Sequence, residues 1–378
     1  METGTRPFKI NIAQDILDDL KNRLKNTRWP DEIINSGWDY GTNLSYLKEL
    51  VSYWGSEFDW RKQEEQINSF PQFMTEIGGL KIHFIYIKGQ GKNPIPLLLL
   101  HGWPSTFIQM LKIAPLLSGP GKGQEGISFD LVIPSLVGYG FSDASHEPGM
   151  SVSKMAGIFH ELMAGVLAYD KYALRGGDLG AGIALQMALL YPEYVIGLHT
   201  GGTYPRIIGE LPDDLTAAEK AYVENVRAWM QEEAAYAQVH ATKPQTLAYA
   251  LNDSPAGLAA WIVEKFRKWS DCGGDVEKRF TKDELLTNLT IYWATQTINS
   301  SMRLYYETVR NPGIWGRIKV PTAALMPMKD MFPTPREWVM RTQNPTHFKE
   351  ISRGGHFLEW EEPELVASDI REFFGSVV

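Results

Sequence analysis

The spacing of apolar residues changes along the chain, and these changes divide it into segments. Near the start, apolar residues recur at helical spacing at residues 12–24 and again at residues 44–54. Asn43 stands directly before the second stripe, where a helix cap is expected. Four tryptophans fall in the same region, namely Trp29, Trp38, Trp54 and Trp60. We therefore expect residues 1–72 to form a helical segment that wraps around the main domain and buries its rings there.

The spacing then becomes that of strands. Residues 73–77 and 80–87 are separated by Gly78 and Gly79, which is a hairpin signal. Further short apolar runs alternate with helical stretches, and they predict strands at residues 96–100, 130–134, 171–174, 195–200, 321–326 and 348–352. Such alternation is typical of a largely parallel sheet that helices cover on both faces. The predicted fold class is therefore α/β.

A helical block interrupts this alternation. Helical patterns cover residues 213–240, 255–270, 283–300 and 301–309. Because strands return only at residue 321, we expect the block to form a lid over the strand ends. The predicted organisation is a wrapping segment at 1–72, a core at 73–204 and 317–378, and a helical lid at 205–316.

Composition narrows the function without defining it. The fractions of hydrophobic (44%) and charged (22%) residues are ordinary for a soluble globular protein. The net charge of −8 argues against nucleic acid or an anionic membrane as the partner. The single cysteine, Cys272, excludes an intrachain disulfide and favours a reducing compartment. Residues 1–15 lack a signal-peptide core, and no apolar run is long enough to span a membrane, so we expect a soluble cytoplasmic protein.

Small residues surround one acid after the strand at 171–174. The stretch Gly176-Gly177-Asp178-Leu179-Gly180 leads from that strand into a helical pattern that stops at Pro192. This arrangement is typical of a nucleophile elbow, a tight turn that lifts one side chain to the edge of the sheet. The alternative is an ordinary turn in which Asp178 only caps the helix.

A carboxylate in the elbow changes the chemistry that the site can perform. A serine that attacked an alkyl carbon would leave an ether, whereas a carboxylate leaves an ester that water can cleave. Asp178 therefore predicts displacement at an sp3 carbon of an epoxide or an alkyl halide. The N–H of Leu179 is expected to stabilise a later oxyanion.

Cleavage of such an ester requires an activated water, and therefore a histidine. Of the eight histidines, His356 is the best candidate, because it lies in a glycine-rich loop after the last strand, at the same edge as the elbow. Asp330 follows the strand at 321–326 and is expected to orient His356. Asp143 is a weaker rival, and Glu361 lies too close to His356 in sequence.

Four motifs resemble those of epoxide hydrolases of the α/β-hydrolase fold. They are His101-Gly102-Trp103-Pro104, Gly138-Tyr139-Gly140-Phe141-Ser142, Gly176-Gly177-Asp178-Leu179-Gly180 and Gly354-Gly355-His356-Phe357. The aromatic N-terminal segment is similar to that of the microsomal branch, which includes juvenile hormone epoxide hydrolases. The resemblance covers nearly the whole chain, and it implies hydrolysis of an epoxide to a diol.

The resemblance also implies two lid tyrosines that hold and protonate the epoxide oxygen. By position in the lid these are Tyr236 and Tyr305, with Tyr306 left open as the alternative to Tyr305. The backbone N–H groups of Trp103 and Leu179 would form the oxyanion hole. The reaction needs no metal and no organic cofactor, and the expected partner is a small apolar epoxide. The sequence does not decide between a monomer and a homodimer.

The sequence departs from the branch at two points, which concern the acid that orients His356 and the N-terminal membrane anchor. The branch commonly has Glu where this chain has Asp330, and a shorter acid changes the hydrogen bond to His356. Mammalian members carry an N-terminal membrane anchor, whereas this sequence starts at the wrapping segment, so no anchor is expected.

Two other functions stay open from the sequence. A haloalkane dehalogenase shares the aspartate elbow, but it often has a tryptophan directly after the nucleophile, where this chain has Leu179; Trp103 still offers one N–H donor. A non-catalytic protein that binds an apolar ligand under the lid would not need Asp178, Asp330 and His356 together.

Overall fold

The computed structural model describes residues 4–120, 127–201 and 211–378, which form a nine-stranded sheet and the helices packed on it. The strands are Arg6–Phe8 (β1), Gln72–Ile77 (β2), Leu80–Ile87 (β3), Ile95–Leu100 (β4), Phe129–Pro134 (β5), Tyr172–Gly177 (β6), Val195–Gly201 (β7), Thr322–Pro327 (β8) and Pro345–Ile351 (β9). Their order across the sheet is β1-β2-β3-β5-β4-β6-β7-β8-β9. Pairings from β1 to β5 along this order are antiparallel, and those from β5 to β9 are parallel. The predicted, mostly parallel α/β sheet is confirmed.

The helices fall into three groups along the chain. Before β7 they are Gln14–Lys25 (α1), Leu44–Ser56 (α2), Trp60–Asn68 (α3), Ala114–Ser118 (α4), Val152–His160 (α5) and Asp178–Leu190 (α6). Between β7 and β8 they are Ala217–Glu232 (α7), Ala235–Thr242 (α8), Pro244–Leu251 (α9), Pro255–Trp269 (α10), Lys282–Thr295 (α11) and Ile298–Arg310 (α12). After β8 they are Arg336–Thr342 (α13), Leu358–Glu361 (α14) and Pro363–Val377 (α15). Short 3-10 turns occur at Phe107–Leu111 and Val276–Lys278, and a π turn at Glu161–Val166.

The N-terminal helices form where the apolar stripes predict them. The side chain of Asn43 accepts a hydrogen bond from the Tyr46 N–H at 2.9 Å, so the predicted cap of α2 is confirmed. Trp54 of α2 is buried, and its indole N–H donates to the Thr290 hydroxyl of α11 at 3.0 Å. The N-terminal segment therefore packs against a helix of the block between β7 and β8.

The sequence pattern does not predict some short elements and some helix ends. The three residues of β1 are too few to show a period, and the strand exists because it pairs with β2. The helix expected at 283–300 is wrong as one unit, because Gln296 has φ +55° and ends α11. The helix expected at 213–240 is likewise two helices, α7 and α8, and the sequence pattern misses α9.

The division into wrapping segment, core and lid stays a prediction. Its boundary at residues 204 and 205 lies outside the described residues. None of the helices in the described parts of the chain combines the length and the apolar character that a membrane crossing requires.

Candidate active site

The backbone turns sharply between β6 and α6. Asp178 has φ +51°, a left-handed conformation that costs energy for a residue with a side chain and persists only where the surroundings enforce it. Gly180 allows the turn to pack, because a Cβ at this position would overlap the carbonyl oxygen of Leu100 in β4. The cap position of α6 is Gly177, and the Asp178 side chain is directed to other partners.

Both oxygens of the Asp178 carboxylate have neighbours. Oδ1 accepts the backbone N–H of Trp103 at 2.8 Å, and Oδ2 lies 3.3 Å from Nε2 of His356. Gly102 permits this approach, since a Cβ there would lie 2.7 Å from Asp178 Cγ and overlap the Cβ and Oδ1 atoms. Leu179 is the second residue of α6, where backbone N–H groups have no acceptor within the helix. The Trp103 N–H thus donates to the carboxylate, and the Leu179 N–H in the first turn of α6 is a second candidate donor.

His356 lies between two carboxylates. Its backbone N–H donates to the carbonyl oxygen of Trp269, the last residue of α10, at 2.8 Å. Its Nδ1 lies 3.1 Å from Oδ1 of Asp330, which follows β8 and also accepts the N–H of Met331 at 2.7 Å. A carboxylate only accepts, so Nδ1 carries a proton and Nε2 is directed at Asp178.

The two carboxylates control the charge of the His356 ring. Burial by itself would lower the pKa of His356, but the nearby charges and hydrogen bonds of Asp330 and Asp178 outweigh burial and raise the pKa to about 10. The ring is therefore protonated at neutral pH as long as both neighbours are charged. Loss of either negative charge lowers its pKa.

Glu361 holds the loop that carries His356. Its carboxylate accepts the backbone N–H groups of Gly355 at 3.0 Å, Phe357 at 3.1 Å and Asp271 at 2.8 Å. Burial raises the pKa of Glu361 to about 7 against the opposing effect of these donors. Sequence reasoning misses this contact because acids are common at helix starts, and only the fold shows that this one turns back to the loop.

Asp143, the rival acid, lies at another place in the fold. Its carboxylate accepts the N–H of Lys81 at 2.9 Å, and its carbonyl oxygen accepts the N–H of Gly138 at 2.9 Å. These bonds fasten the start of β3 to the loop that follows β5. Asp330 is therefore the acid that the structure brings to His356.

Tyr236 of α8 and Tyr305 of α12 line the same cavity as Asp178. The Tyr236 ring stacks on Trp103, with ring centroids 5.0 Å apart and an angle of 9° between the planes. The Tyr305 ring stands nearly perpendicular to that of Tyr236 at 6.1 Å. Tyr306 instead stacks with Arg310, whose guanidinium carbon lies 3.4 Å from the ring centroid.

The cavity has a volume of about 270 Å³. Asp178, Asp330 and His356 form its polar end. Most of the remaining wall is apolar, and it includes Trp229, Met230, Ala237, Val309, Met331 and Phe332. Such a wall favours a small apolar ligand whose one polar group meets the carboxylates and tyrosines. The wall residues carry no sequence signal beyond being apolar residues of helices and loops.

An aspartate elbow, a histidine and an acid at the edge of this sheet define an α/β hydrolase. A family model described as alpha/beta hydrolase fold matches residues 95–363, and one described as epoxide hydrolase N terminus matches residues 5–110. Epoxide hydrolase 1 from Oryctolagus cuniculus is 39% identical, over 100% of this chain and 90% of that protein. The chain belongs to the epoxide hydrolases of the α/β-hydrolase fold.

Solved structures agree with this family. The juvenile hormone epoxide hydrolase of the silkworm Bombyx mori has a TM-score of 0.89 and 34% identity, covering 100% of this chain and 94% of that one. An epoxide hydrolase from Aspergillus niger has a TM-score of 0.88 and 30% identity, covering 100% and 97%. The resemblance to the branch that includes juvenile hormone epoxide hydrolases is confirmed.

Proposed function

We propose that this enzyme hydrolyses a small apolar epoxide to a vicinal diol through a covalent ester on Asp178. One observation carries the proposal: Asp178 accepts the Trp103 N–H at 2.8 Å and lies 3.3 Å from His356. Asp178 and His356 line one mostly apolar cavity, and the Trp103 N–H donates to the same carboxylate, which supports their roles as nucleophile, base and oxyanion donor. Fixed reacting groups of this kind lower the barrier by avoiding the loss of orientational freedom during the reaction.

In the first step, Asp178 attacks one ring carbon and the bond from that carbon to the epoxide oxygen breaks. The oxygen would leave as an alkoxide, which is a poor leaving group until it receives a proton. Tyr236 and Tyr305 share the cavity with Asp178, and we assign the proton donation to this pair. The products of the step are a neutral ester and a tyrosinate.

Loss of the Asp178 charge turns His356 into a base. Asp178 and Asp330 together raise the pKa of His356, so forming the ester removes one of the two causes. The imidazolium then returns a proton to the tyrosinate. The neutral ring that results can accept a proton from water.

In the second step, that water attacks the carbonyl carbon of the ester. The Trp103 and Leu179 N–H groups stabilise the oxyanion, at roughly 3–4 kcal/mol per donor. The bond between the acyl carbon and the diol oxygen breaks, and the diol oxygen takes the proton of the carboxyl group. Asp178 returns as a carboxylate beside protonated His356, so charge and protons balance over the cycle.

A single turnover in ¹⁸O-labelled water tests the covalent route. With enzyme in excess over styrene oxide, the diol should carry no label, because its second oxygen comes from Asp178. Peptide mapping should find the label in Asp178. Label in the diol of the first turnover would show that water attacks the epoxide directly. A chlorinated alkane should release no halide, and release would favour a dehalogenase instead.

Gly102→Ala should slow formation of the ester. The added methyl would overlap the Cβ and Oδ1 atoms of Asp178, so the elbow and the loop at Gly102 must move apart, and the carboxylate moves away from the Trp103 N–H. We expect a loss of roughly 10²-fold, as for a displacement of about 1 Å in a reacting group. Gly182→Ala in α6 is the matched control, because its Cβ would lie 3.8 Å from the nearest atom. Equal rates of ester formation for the two variants, measured by quenched-flow mass spectrometry, would contradict this role of the close approach.

Asp330→Asn should slow cleavage of the ester and change its pH dependence. The rate of cleavage rises with pH, because the neutral His356 ring is required. Removal of the Asp330 charge lowers the pKa of His356, so the midpoint of the profile should move to lower pH. The plateau should fall by roughly 10²–10⁴-fold because the ring is no longer oriented. Asp330→Glu keeps the charge and should retain the midpoint, and a wild-type plateau in Asp330→Asn would remove Asp330 from the role.

A further inference from the structure

A buried ion pair joins the strand that carries Asp178 to the segment that follows His356. Arg175 stands three residues before Asp178 on β6, and Glu359 stands three residues after His356 in α14. Nη2 of Arg175 lies 2.7 Å from Oε1 of Glu359, and the two side chains are 0% and 1% exposed. Neither residue is part of the cavity wall.

The other oxygen of Glu359 reaches the oxyanion loop. Oε2 accepts the amide N–H of Gln109 at 2.7 Å, and the Gln109 carbonyl oxygen accepts the hydroxyl of Ser105. The same hydroxyl lies 3.1 Å from the carbonyl oxygen of Gly102, the residue before Trp103. One buried carboxylate therefore connects the segments that carry the nucleophile, the histidine and the oxyanion donor.

Arg175 is also held on its far side. Its Nη1 donates to Nδ1 of His199 at 3.2 Å, and Nε2 of His199 donates to Asp369 at 3.0 Å. Burial lowers the pKa of His199 to about 4, so the ring is neutral. An arginine only donates and a carboxylate only accepts, so these neighbours select one tautomer of His199. The guanidinium therefore contacts His199 through Nη1 and Glu359 through Nη2.

A gain in the free energy of unfolding does not by itself explain a buried ion pair. The cost of removing two charges from water offsets most of their attraction, and apolar side chains of similar size can replace a buried pair without loss. In some proteins a buried pair selects one geometry, and catalytic groups require support of this kind to stay in place. This pair lies between the segments that carry Asp178, His356 and Trp103, so the geometry that it would select is the relative position of these three residues.

We propose that Glu359 is a positioning residue that, through Arg175 and Gln109, holds the nucleophile strand, the histidine loop and the oxyanion loop in one arrangement. The inference rests on the proposed two-step reaction, since it assigns Glu359 to the geometry of both steps. Its consequence is that a change at Glu359 affects both rate constants without contact with the substrate.

Glu359→Gln tests the proposal, because it keeps the size of the side chain and removes the charge that faces Arg175. The rate constants of ester formation and of ester cleavage should each fall by about tenfold or more. The dissociation constant of styrene oxide, taken from the concentration dependence of ester formation, should stay within about twofold, because no substrate contact is lost. The rates are measured well below the melting temperature.

Glu219→Gln is the matched control. Glu219 is buried and paired with Arg341, and this pair joins α7 to α13; neither residue lines the cavity that holds Asp178 and His356. We expect its loss to lower the melting temperature and to leave both rate constants unchanged. If Glu359→Gln behaves in the same way, the Arg175–Glu359 pair is only structural and the proposal is overturned.

A double variant keeps the test decisive if Glu359→Gln does not fold. Arg175→Gln combined with Glu359→Gln leaves no unpaired charge, and it should still show both reduced rates. Where Glu359→Gln folds, the double variant should be no slower than that single variant, because Glu359→Gln already breaks the link to Arg175. Wild-type rates in the double variant would overturn the proposal. Failure of the covalent route itself would appear separately, as labelled diol in the first turnover of the unmodified enzyme.

Discussion

Mixed with styrene oxide, the His356→Gln protein should become heavier by one substrate mass and remain so. Asp178 attacks as a carboxylate and needs no base, so ester formation continues in this variant. Cleavage of the ester requires the base, and its removal should slow that step by roughly 10²–10⁴-fold. Because the two steps then differ so much in rate, the ester accumulates and intact mass spectrometry detects it. Peptide mapping should place the added mass on Asp178.

Two controls make this result specific. Asp178→Ala should show no added mass under the same conditions, since no nucleophile remains. His146→Gln changes an exposed histidine outside the site, and it should turn over styrene oxide at the wild-type rate without accumulating an ester. A His356→Gln protein that is folded and binds epoxide, yet stays unmodified, would contradict the covalent mechanism.

The double variant Tyr236→Phe, Tyr305→Phe should form the ester far more slowly than wild type. Opening of the ring needs a proton for the alkoxide, and its loss costs roughly 10²–10⁴-fold in rate. Either single variant should be slower than wild type and faster than the double variant. Phenylalanine keeps the ring of Tyr236 on Trp103, so the wall of the cavity is preserved. The rate of mass gain in a His356→Gln background measures the step directly.

Tyr306→Phe is the matched control for the tyrosine pair. Its ring stacks with Arg310, a contact that phenylalanine retains, so ester formation should stay at the wild-type rate. A double variant that forms the ester at the wild-type rate would remove Tyr236 and Tyr305 from the role. If Tyr305→Phe has no effect and Tyr306→Phe is slow, Tyr306 is the second proton donor.

Local structure around the site could be predicted from the sequence because its causes are local. The apolar runs predict the hairpin of β2 and β3 and the buried strands β4 and β5, all of which are present. Small residues around Asp178 also predict the turn from the local sequence, although the contact that requires Gly180 is a distant one, since a side chain there would meet the Leu100 carbonyl oxygen of β4. Four such local motifs were also sufficient to identify the family by resemblance.

Elements whose causes are distant could not be predicted in the same way. The strand β1 depends on its partner β2, and no pattern of its own marks it. The end of α11 at Gln296 depends on one left-handed residue inside an otherwise helical stretch. Propensity and periodicity describe neighbours along the chain, whereas these features follow from contacts and backbone conformations of the folded chain.

The sequence by itself determined the family, the fold class and the candidate residues Asp178, Asp330 and His356. Only the tertiary structure decided which of two adjacent tyrosines lines the cavity, because neighbouring positions on a helix point about 100° apart. The Arg175–Glu359 pair also required the fold, since its partners lie in β6 and α14, which are far apart in sequence. Contacts between residues so far apart in sequence depend on how the strands assemble into the sheet, and local sequence patterns do not predict this assembly.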